Sequence, residues 1–207
     1  MTLSPALEMR LFSSLDQVNV QAWQASADPS EVTTDLDFLR AVAESQALAC
    51  TPQVVEFYRA GQFVLGFAAY AVENDLLGYL PKGLGRLSAL RRWHPGWLRL
   101  TTMEIGSPLA NGSPAAVAAQ AEEAELQAAL QLFQRHCRQQ RHPLLLLRDF
   151  VGPLQPLERA AVRAGWQAML GYPLAELRLN WASFEDYVAA MRKHYRYDLR
   201  EKMRRKE

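Results

Sequence analysis

Three cationic side chains late in the sequence have the spacing of one helical face. Lys193, Arg196 and Arg200 recur at intervals of three and four residues within a predicted helix over residues 183–207. From residue 192 onward eight Lys or Arg residues stand against three acidic ones, whereas the whole chain has a net charge of +1. Such a stripe is typical of a site for a phosphate-bearing substrate, such as a nucleotide-linked sugar or a tRNA acceptor end. The alternative is a solvated helix face that leads into a second domain.

Two other groups of residues have the right types for chemistry but the wrong arrangement. His136 and Cys137 diverge by about 100° on a helix, and Cys137 fits its apolar face, so with His142 they predict no metal site. Ser107 and Ser113 lack the strand–turn–helix setting of a nucleophilic serine, which argues against a hydrolase of that type.

Composition and length limit the class of protein. The 207 residues are 49% hydrophobic and 22% charged, as expected of a globular domain with a core. No 18-residue apolar stretch indicates a transmembrane helix, and the first residues lack the pattern of a secretory signal. Two cysteines form no disulfide framework, so we expect a cytoplasmic protein. The interleaved acids of the basic segment argue against nucleic-acid binding, with tRNA as the exception.

Hydrophobic periodicity predicts alternating strands and helices along the chain. A long helix between two core strands requires a right-handed crossover, which makes those strands parallel neighbours. We therefore expect an α/β (α+β) fold with a central mixed sheet flanked by helices. The predicted strands cover residues 8–13, a hairpin over 53–75 that turns at 59–62, 98–105, 143–150, and two short strands at 166–170 and 174–180. The predicted helices cover residues 15–25, the segment capped by Thr33 and Thr34, 83–93, 114–140 and 156–164.

This order resembles the fold of the GCN5-related N-acetyltransferases (GNAT). The closest textual similarity is LERAAVRAGWQAMLGYPLAELRL, residues 157–179, which resembles the family's fourth helix, the glycine and aromatic residue that end it, and the last two strands. By the same alignment, LRLTTMEIGSP is the fourth strand, 114–140 is the helix after it, and 141–150 is the fifth strand. The resemblance covers about residues 5–180. It implies transfer of an acyl group from acetyl-CoA or another acyl-CoA to an amine.

In that family the fourth and fifth strands splay apart, and the loop after the fourth strand offers backbone N–H groups to the coenzyme A pyrophosphate. The resemblance places catalytic carboxylates at Glu104 and Asp149, either of which would take the proton of the amine. Glu104 could instead be a strand-end carboxylate paired with an arginine, and Asp149 a turn-forming residue. The cofactor loop implied by the alignment consists of Ile105, Gly106, Ser107, Gly112 and Ser113.

This loop departs from the family pattern in three ways. No Arg or Gln precedes it, its glycines are spaced differently, and Pro108 lacks an N–H group. In addition, Ala161 occupies the position of the tyrosine that protonates the departing thiolate in the family. We therefore expect this chain to bind acetyl-CoA weakly or not at all.

Residues 183–207 are similar to the end of the first half in two-half GNAT proteins, which include the Fem-type aminoacyl transferases of peptidoglycan synthesis and the BioF2-like acetyltransferases. In these proteins the first half is commonly degenerate for the cofactor. The resemblance implies a GNAT-like domain over residues 1–180 and a basic connector helix over 181–207, leading to a second GNAT-like half or a homodimer partner. The implied function is transfer of an acyl or aminoacyl group to an amine, on an anionic or amine-bearing small molecule. The alternative is a non-catalytic GNAT-like scaffold or an anionic-ligand-binding module.

Overall fold

The computed structural model describes residues 6–45, 52–75, 89–142, 144–150, 156–170 and 180–204. The chain divides into two compact units, Met1–Met169 and Leu170–Glu207. The first unit holds a central sheet with helices on both faces, and the described part of the second contains two helices.

The sheet of the first unit has the strand order β1-β2-β3-β4-β6, and a two-residue strand, β5, also pairs with β3. Within the described residues β4 and β6 form its parallel pair, and the other pairs are antiparallel. Strands β2 and β3 are rich in β-branched and aromatic residues, which pack well on a pleated surface. The strands are β1 Leu7–Phe12, β2 Gln53–Arg59, β3 Gln62–Asp75, β4 Arg99–Ile105, β5 Ala116–Val117 and β6 Leu144–Leu147.

The predicted hairpin is confirmed, and its turn explains the tight connection between β2 and β3. Ala60 and Gly61 both have positive φ, 49° and 79°. A two-residue turn with positive φ at both positions matches the twist of the flanking strands.

Helices cover both faces of the sheet, because the central strands carry apolar side chains on both of their faces. Helices α3 and α4 pack over Phe57, Phe67 and Ile105, and helices α1 and α2 pack over Val54 and Tyr70 on the opposite face. The helices of the first unit are α1 Val20–Gln24, α2 Leu36–Ser45, α3 Glu123–Gln139 and α4 Pro156–Arg163, with 3-10 helices at Leu15–Gln17 and Val32–Thr34.

The parallel pair predicted from the crossover is confirmed. β4 and β6 are in register from Thr102 opposite Leu144 to Ile105 opposite Leu147, and α3 lies between the two strands in the sequence. This is the arrangement that the resemblance implies for the fourth and fifth strands.

The long helix starts nine residues later than its predicted start at Pro114. Ala116 and Val117 form β5 and pair with Gly66 and Leu65 of β3, so the backbone before residue 118 is already bonded to the sheet. The helix begins instead after Glu122, where Glu122 and Glu125 form a reciprocal capping box.

Four smaller predictions were wrong or only partly tested. Residues 15–25 are divided into a 3-10 helix and α1, because Asn19 caps α1 by accepting the Ala22 N–H. The cap of α2 is Asp35, which accepts the Phe38 N–H, in place of the predicted Thr33 or Thr34. Residues 166–170 form no strand, since no described strand pairs with them, and residues 171–179 lie outside the described part of the chain. Of the helix predicted over 83–93, residues 83–88 lie outside the described part of the chain, and residues 89–92 form a 3-10 helix.

The second unit contains α5 Phe184–Ala190 and α6 Lys193–Arg204, so the single helix predicted over 183–207 is wrong. Met191 has an extended backbone, with ψ of 150°, although no glycine or proline is present there. The guanidinium of Arg196 donates to the Met191 carbonyl oxygen at 3.0 Å. This bond satisfies a carbonyl at the helix end and thereby stabilises the break.

Candidate functional site

The candidate site lies where β4 and β6 stop pairing, which we call the fork and define as residues 104–106 and 147–149. The N–H of Arg148 donates to the Ile105 carbonyl at 3.1 Å, which is a backbone hydrogen bond at the end of the paired region. The N–H of Gly106 donates to Ala68 of β3 at 3.2 Å, so the β4 segment stays with β3. Pairing between the two strands ends at Ile105 opposite Leu147, and Asp149, two residues later, has a φ of 62°.

Glu104 is buried in a polar network at the fork, with only 4% of its surface exposed. Arg148 Nη1 donates to Glu104 Oε2 at 2.8 Å, and the Thr102 hydroxyl donates to Oε1 at 3.0 Å. Asn74 of β3 donates from Nδ2 to Thr102 Oγ1 at 2.7 Å and reaches Glu104 Oε1 at 3.3 Å. Charge-assisted bonds of this kind are stronger than bonds between neutral groups, and here they fix the position of the Glu104 carboxylate.

Asp149 lies beside the same arginine, but its carboxylate is poorly satisfied. Its Oδ2 is buried and accepts no hydrogen bond from the described residues, and Arg148 Nε is 3.6 Å away. Burial raises the pKa of Asp149; the Arg148 charge opposes this and the Glu104 charge adds to it. Non-glycine residues rarely adopt positive φ, and they do so most often as Asn or Asp. The fork thus contains one well-paired carboxylate and one that holds its proton more tightly than usual.

The structure separates the predicted cofactor loop into two parts. Ile105 and Gly106 belong to the fork and Ser107 follows it; all three are buried, and the Ser107 hydroxyl accepts the N–H of Leu109 at 3.2 Å. Gly106 has a φ of 103°, a conformation that favours glycine.

The second part of the loop, Gly112 and Ser113, packs against the segment before α2. The N–H of Ser113 donates to Glu31 Oε2 at 3.0 Å, and the Thr33 hydroxyl donates to the Ser113 carbonyl oxygen at 2.7 Å. The N–H of Ser113 is therefore already bound to a carboxylate of the chain itself.

The first turn of α3 is strongly acidic. Glu122 and Glu125 accept each other's backbone N–H groups, which occupies donors at the helix start. Glu123 pairs with Arg159 at 3.0 Å and Arg163 at 2.8 Å, and Glu125 pairs with Arg59. These carboxylates take the place next to the positive end of the helix dipole that a bound anion would otherwise occupy.

The three predicted substrate-binding cations lie in the second unit, on α6. Lys193 and Arg200 are exposed, and Arg196 is half-buried by its bond to Met191. Binding of an anionic substrate by these three cations stays a prediction.

Sequence reasoning missed five residues that contact the predicted site residues: Asn74, Thr102 and Arg148 at the fork, and Glu31 and Thr33 at Gly112 and Ser113. Asn74 contacts Thr102 only through the register of β3 and β4, and Glu31 contacts Ser113 across 82 positions. Arg148 was the residue that could have been identified, because it directly precedes Asp149 at the end of an apolar run.

Two cavities in the described structure lie away from the fork. One has a volume of about 300 Å³ and is lined by α1, the start of β3 and residues 119–120; the other, of about 150 Å³, lies between residues 13–16 and α2. In the described part of the chain, no cluster of three or more His, Cys, Asp or Glu side chains could hold a metal ion. Burial also raises the pKa of the Cys137 thiol to about 12. Every helix among the described residues is too short or too polar to span a bilayer.

Comparison with known proteins gives one structural likeness. The sequence matches no protein-family model and shows no significant match to a curated protein. A solved structure of a ribosomal-protein-alanine N-acetyltransferase from Brucella melitensis biovar Abortus 2308 is similar to this chain, with a TM-score of 0.47 and 12% sequence identity. The similarity covers 84% of this chain and 100% of that one.

Proposed function

We propose that this chain is a GNAT-type half of an acyltransferase, which moves an acyl or aminoacyl group to an amine, and that its own coenzyme A site is closed. The mixed sheet, the parallel pair β4–β6 and the fork between them support the GNAT-type fold. A Fem-type or BioF2-like two-half protein is the context we propose, with the acyl donor held by a second half or a homodimer partner.

The acidic first turn of α3 is the observation that carries the proposal of a closed site. A pyrophosphate binds a helix N-terminus because unpaired N–H groups and the helix dipole attract negative charge. Here Glu122, Glu123 and Glu125 supply that negative charge themselves, and two of them occupy backbone donors. A pyrophosphate brought to this turn would have to displace these carboxylates from the backbone donors and from their arginine partners, and Pro108 removes a donor from the loop before it.

In a complete enzyme the fork would contribute proton transfer and positioning. An amine attacks an acyl carbon only after it loses its proton, so a carboxylate within reach of the amine accelerates the reaction. Asp149 is the better proton acceptor of the two candidates, because Glu104 already has three partners, Arg148, Thr102 and Asn74. Lys193, Arg196 and Arg200 would bind the anionic part of the substrate.

A non-catalytic scaffold is the second candidate. It is favoured by the positions of the two cavities described above, since neither is lined by Glu104 or Asp149. In a protein that carries both halves, Asp149→Asn separates the two candidates. A catalytic role predicts a fall in kcat of about 100-fold or more without any loss of stability, whereas a scaffold predicts no change in kcat.

Calorimetric titration of the chain with acetyl-CoA tests the closed site directly. We expect a dissociation constant above about 100 μM. A constant in the low micromolar range, about −8 kcal/mol, would contradict the proposal. A GNAT enzyme with an open pyrophosphate loop, titrated under the same conditions, is the positive control.

A further inference from the structure

We propose that residues 89–98, which we call the Trp93 loop, attach the chain to an anionic lipid surface, with the side chains of Leu90 and Trp93 inserted at the lipid–water interface. The partner is a bilayer whose phospholipids carry negatively charged headgroups. This inference goes beyond the proposed function, because it concerns a surface that takes no part in acyl transfer and needs no second half.

The first observation is the exposure of two apolar side chains on one side of the loop. Trp93 is 82% exposed, and no other tryptophan, tyrosine or phenylalanine in the described part of the chain is more exposed. Leu90 is 44% exposed, and its carbonyl oxygen accepts the N–H of Trp93 at 3.1 Å. Residues three apart in such a 3-10 turn lie on the same side of it. Grouped apolar side chains on a surface, unlike single ones, mark a site of contact with a partner or a membrane.

The second observation is that hydrogen bonds hold the loop in place. Arg91 donates from Nη1 and Nη2 to the two carboxylate oxygens of Asp75, at 2.6 and 2.5 Å, and from Nε to the Trp97 carbonyl oxygen at 3.1 Å. Leu98 has a φ of 59°, which leucine rarely adopts and which persists only where the surrounding structure enforces it. The loop therefore holds Trp93 in its exposed position.

The third observation is the charge of the loop, which favours an anionic partner. Residues 89–98 contain two arginines and one histidine and no acidic residue. Arg91 is neutralised by Asp75, whereas Arg92 is exposed and forms no ion pair within the described residues. An exposed cation beside inserted apolar side chains attracts anionic lipid headgroups.

The surroundings of Trp93 favour a fluid partner over a ligand of fixed shape. A nucleobase or a peptide side chain binds an aromatic ring in a groove whose walls exclude water. At 82% exposure Trp93 has no such walls, and it lines neither of the two cavities described above. Lipids rearrange around an inserted indole, and tryptophan is enriched at membrane interfaces for this reason.

The Trp93 loop and the fork lie at opposite ends of one strand. The loop leads into β4 at Arg99, whereas the fork begins at Glu104, and the strand Arg99–Ile105 is about 20 Å long. Attachment and chemistry therefore use different ends of β4, and loss of one leaves the other intact.

Sedimentation of the 207-residue chain with lipid vesicles tests the proposal. On vesicles of phosphatidylglycerol and phosphatidylcholine, Trp93→Ala should lower the partition coefficient by about 10-fold or more, because it removes the largest inserted apolar surface. Arg92→Gln should lower it by about fivefold on these vesicles and leave binding to pure phosphatidylcholine unchanged. Tyr197→Ala is the control, since it removes an exposed aromatic side chain of the basic helix α6 and should leave the partition coefficient nearly unchanged.

Brominated phosphatidylcholine, which quenches tryptophan fluorescence at the interface, gives a second measurement. Quenching in the native chain that is lost in Trp93→Phe supports insertion of residue 93, because phenylalanine keeps an apolar ring and removes the indole. This variant decides the matter if W93A does not fold, and quenching equal to that of the native chain would then overturn the proposal.

Equal partition coefficients for the native chain and W93A, or an equal fall in Y197A, would also overturn it. Two further results would identify a different occupant and have the same consequence. One is binding of a polyuridylate strand that depends on Trp93 without binding of vesicles, and the other is dimerisation that depends on Trp93 without binding of vesicles.

Discussion

At the scale of single residues, the fork depends on one arginine. Arg148 contacts both carboxylates, and Glu104 is almost fully buried. A buried carboxylate without a partner costs several kcal/mol, since the desolvation penalty stays while the attraction is lost. Arg148 therefore offsets most of the cost of burying Glu104 near the end of β4.

We predict that Arg148→Met lowers the free energy of unfolding by about 3 kcal/mol, measured by urea denaturation. Arg10→Met is the matched control, because Arg10 pairs with Glu8 on the surface and its loss should cost clearly less than the loss of Arg148. The double variant Glu104→Leu, Arg148→Met should recover most of the loss, since no buried charge remains. A loss in R148M no larger than that in R10M would contradict this account.

A second prediction concerns the pH dependence caused by Asp149. Because its pKa is raised in the folded state, the protonated form is favoured by folding. This contribution is fully present below the ordinary value of 3.8 and is lost as the pH rises through the raised value. Asparagine does not titrate and tolerates positive φ. The free energy of unfolding of Asp149→Asn, relative to that of the native chain, should therefore rise as the pH increases from about 3 to about 7.

Urea midpoints of D149N and the native chain, compared at each pH, measure this difference. Arg148 and Glu104 are the charged groups that affect Asp149, and both are present in the two proteins, so other titrations largely cancel. A midpoint difference that stays constant from pH 3 to pH 7 would show that Asp149 titrates normally.

At the scale of elements, α1 is held by a single large side chain. Trp23 is 1% exposed, and its Nε1 donates to the Thr34 carbonyl at 2.8 Å. It lies against Gly66 of β3, where an added Cβ would be 2.6 Å from the indole ring. The glycine in this buried strand therefore makes room for the helix.

Gly66→Ala should lower the free energy of unfolding by about 1–3 kcal/mol, because the indole must move or β3 must bend. Gly96→Ala is the control, since nothing lies within 4 Å of its added Cβ and its φ is not positive. We expect that control to change stability by less than about 0.5 kcal/mol. Equal urea midpoints for the two variants would mean that Trp23 does not restrict residue 66.

The sequence was sufficient to predict those elements whose pattern is local. The hairpin over 53–75 and the parallel pair of β4 and β6 follow from alternation, turn chemistry and the crossover rule. The start of α3 was missed because Pro114 and the alanines after it favour a helix locally, whereas pairing with β3 is a long-range effect. Glutamate is not a usual N-cap residue, so the capping box of Glu122 and Glu125 carried no clear signal in the sequence.

The site could be predicted only in part for the same reason. Glu104 and Asp149 each follow from their position at a strand end, and the structure brings both beside Arg148. Asn74 depends on the register of two strands, and Glu31 depends on how a loop packs against the segment before α2. No local pattern encodes either contact.

At the scale of the whole molecule, the basic segment differs from the rest of the chain. Residues 192–207 have a net charge of +5, so residues 1–191 sum to −4. Helix α6 contains no buried residue, and Tyr195, Tyr197 and Met203 are exposed. A helix of 12 residues without tertiary packing is marginal in water. This is what we expect of a connector whose packing partner is a second half.

We therefore predict that amides from Leu199 to Arg204 exchange within about 100-fold of unprotected rates in the 207-residue chain, while the core of α3 is protected more than about 10,000-fold. Hydrogen exchange measured at each amide, with Leu130 and Phe133 of α3 as internal references, provides the measurement. In a protein that carries a second half, Leu199 and Met203 should pack against it and the same amides should become protected. Protection of α6 equal to that of α3 in the monomeric chain would show that the helix is already stabilised without a partner. The connector hypothesis would then be wrong, and with it the proposed place of Lys193, Arg196 and Arg200 beside an anionic substrate.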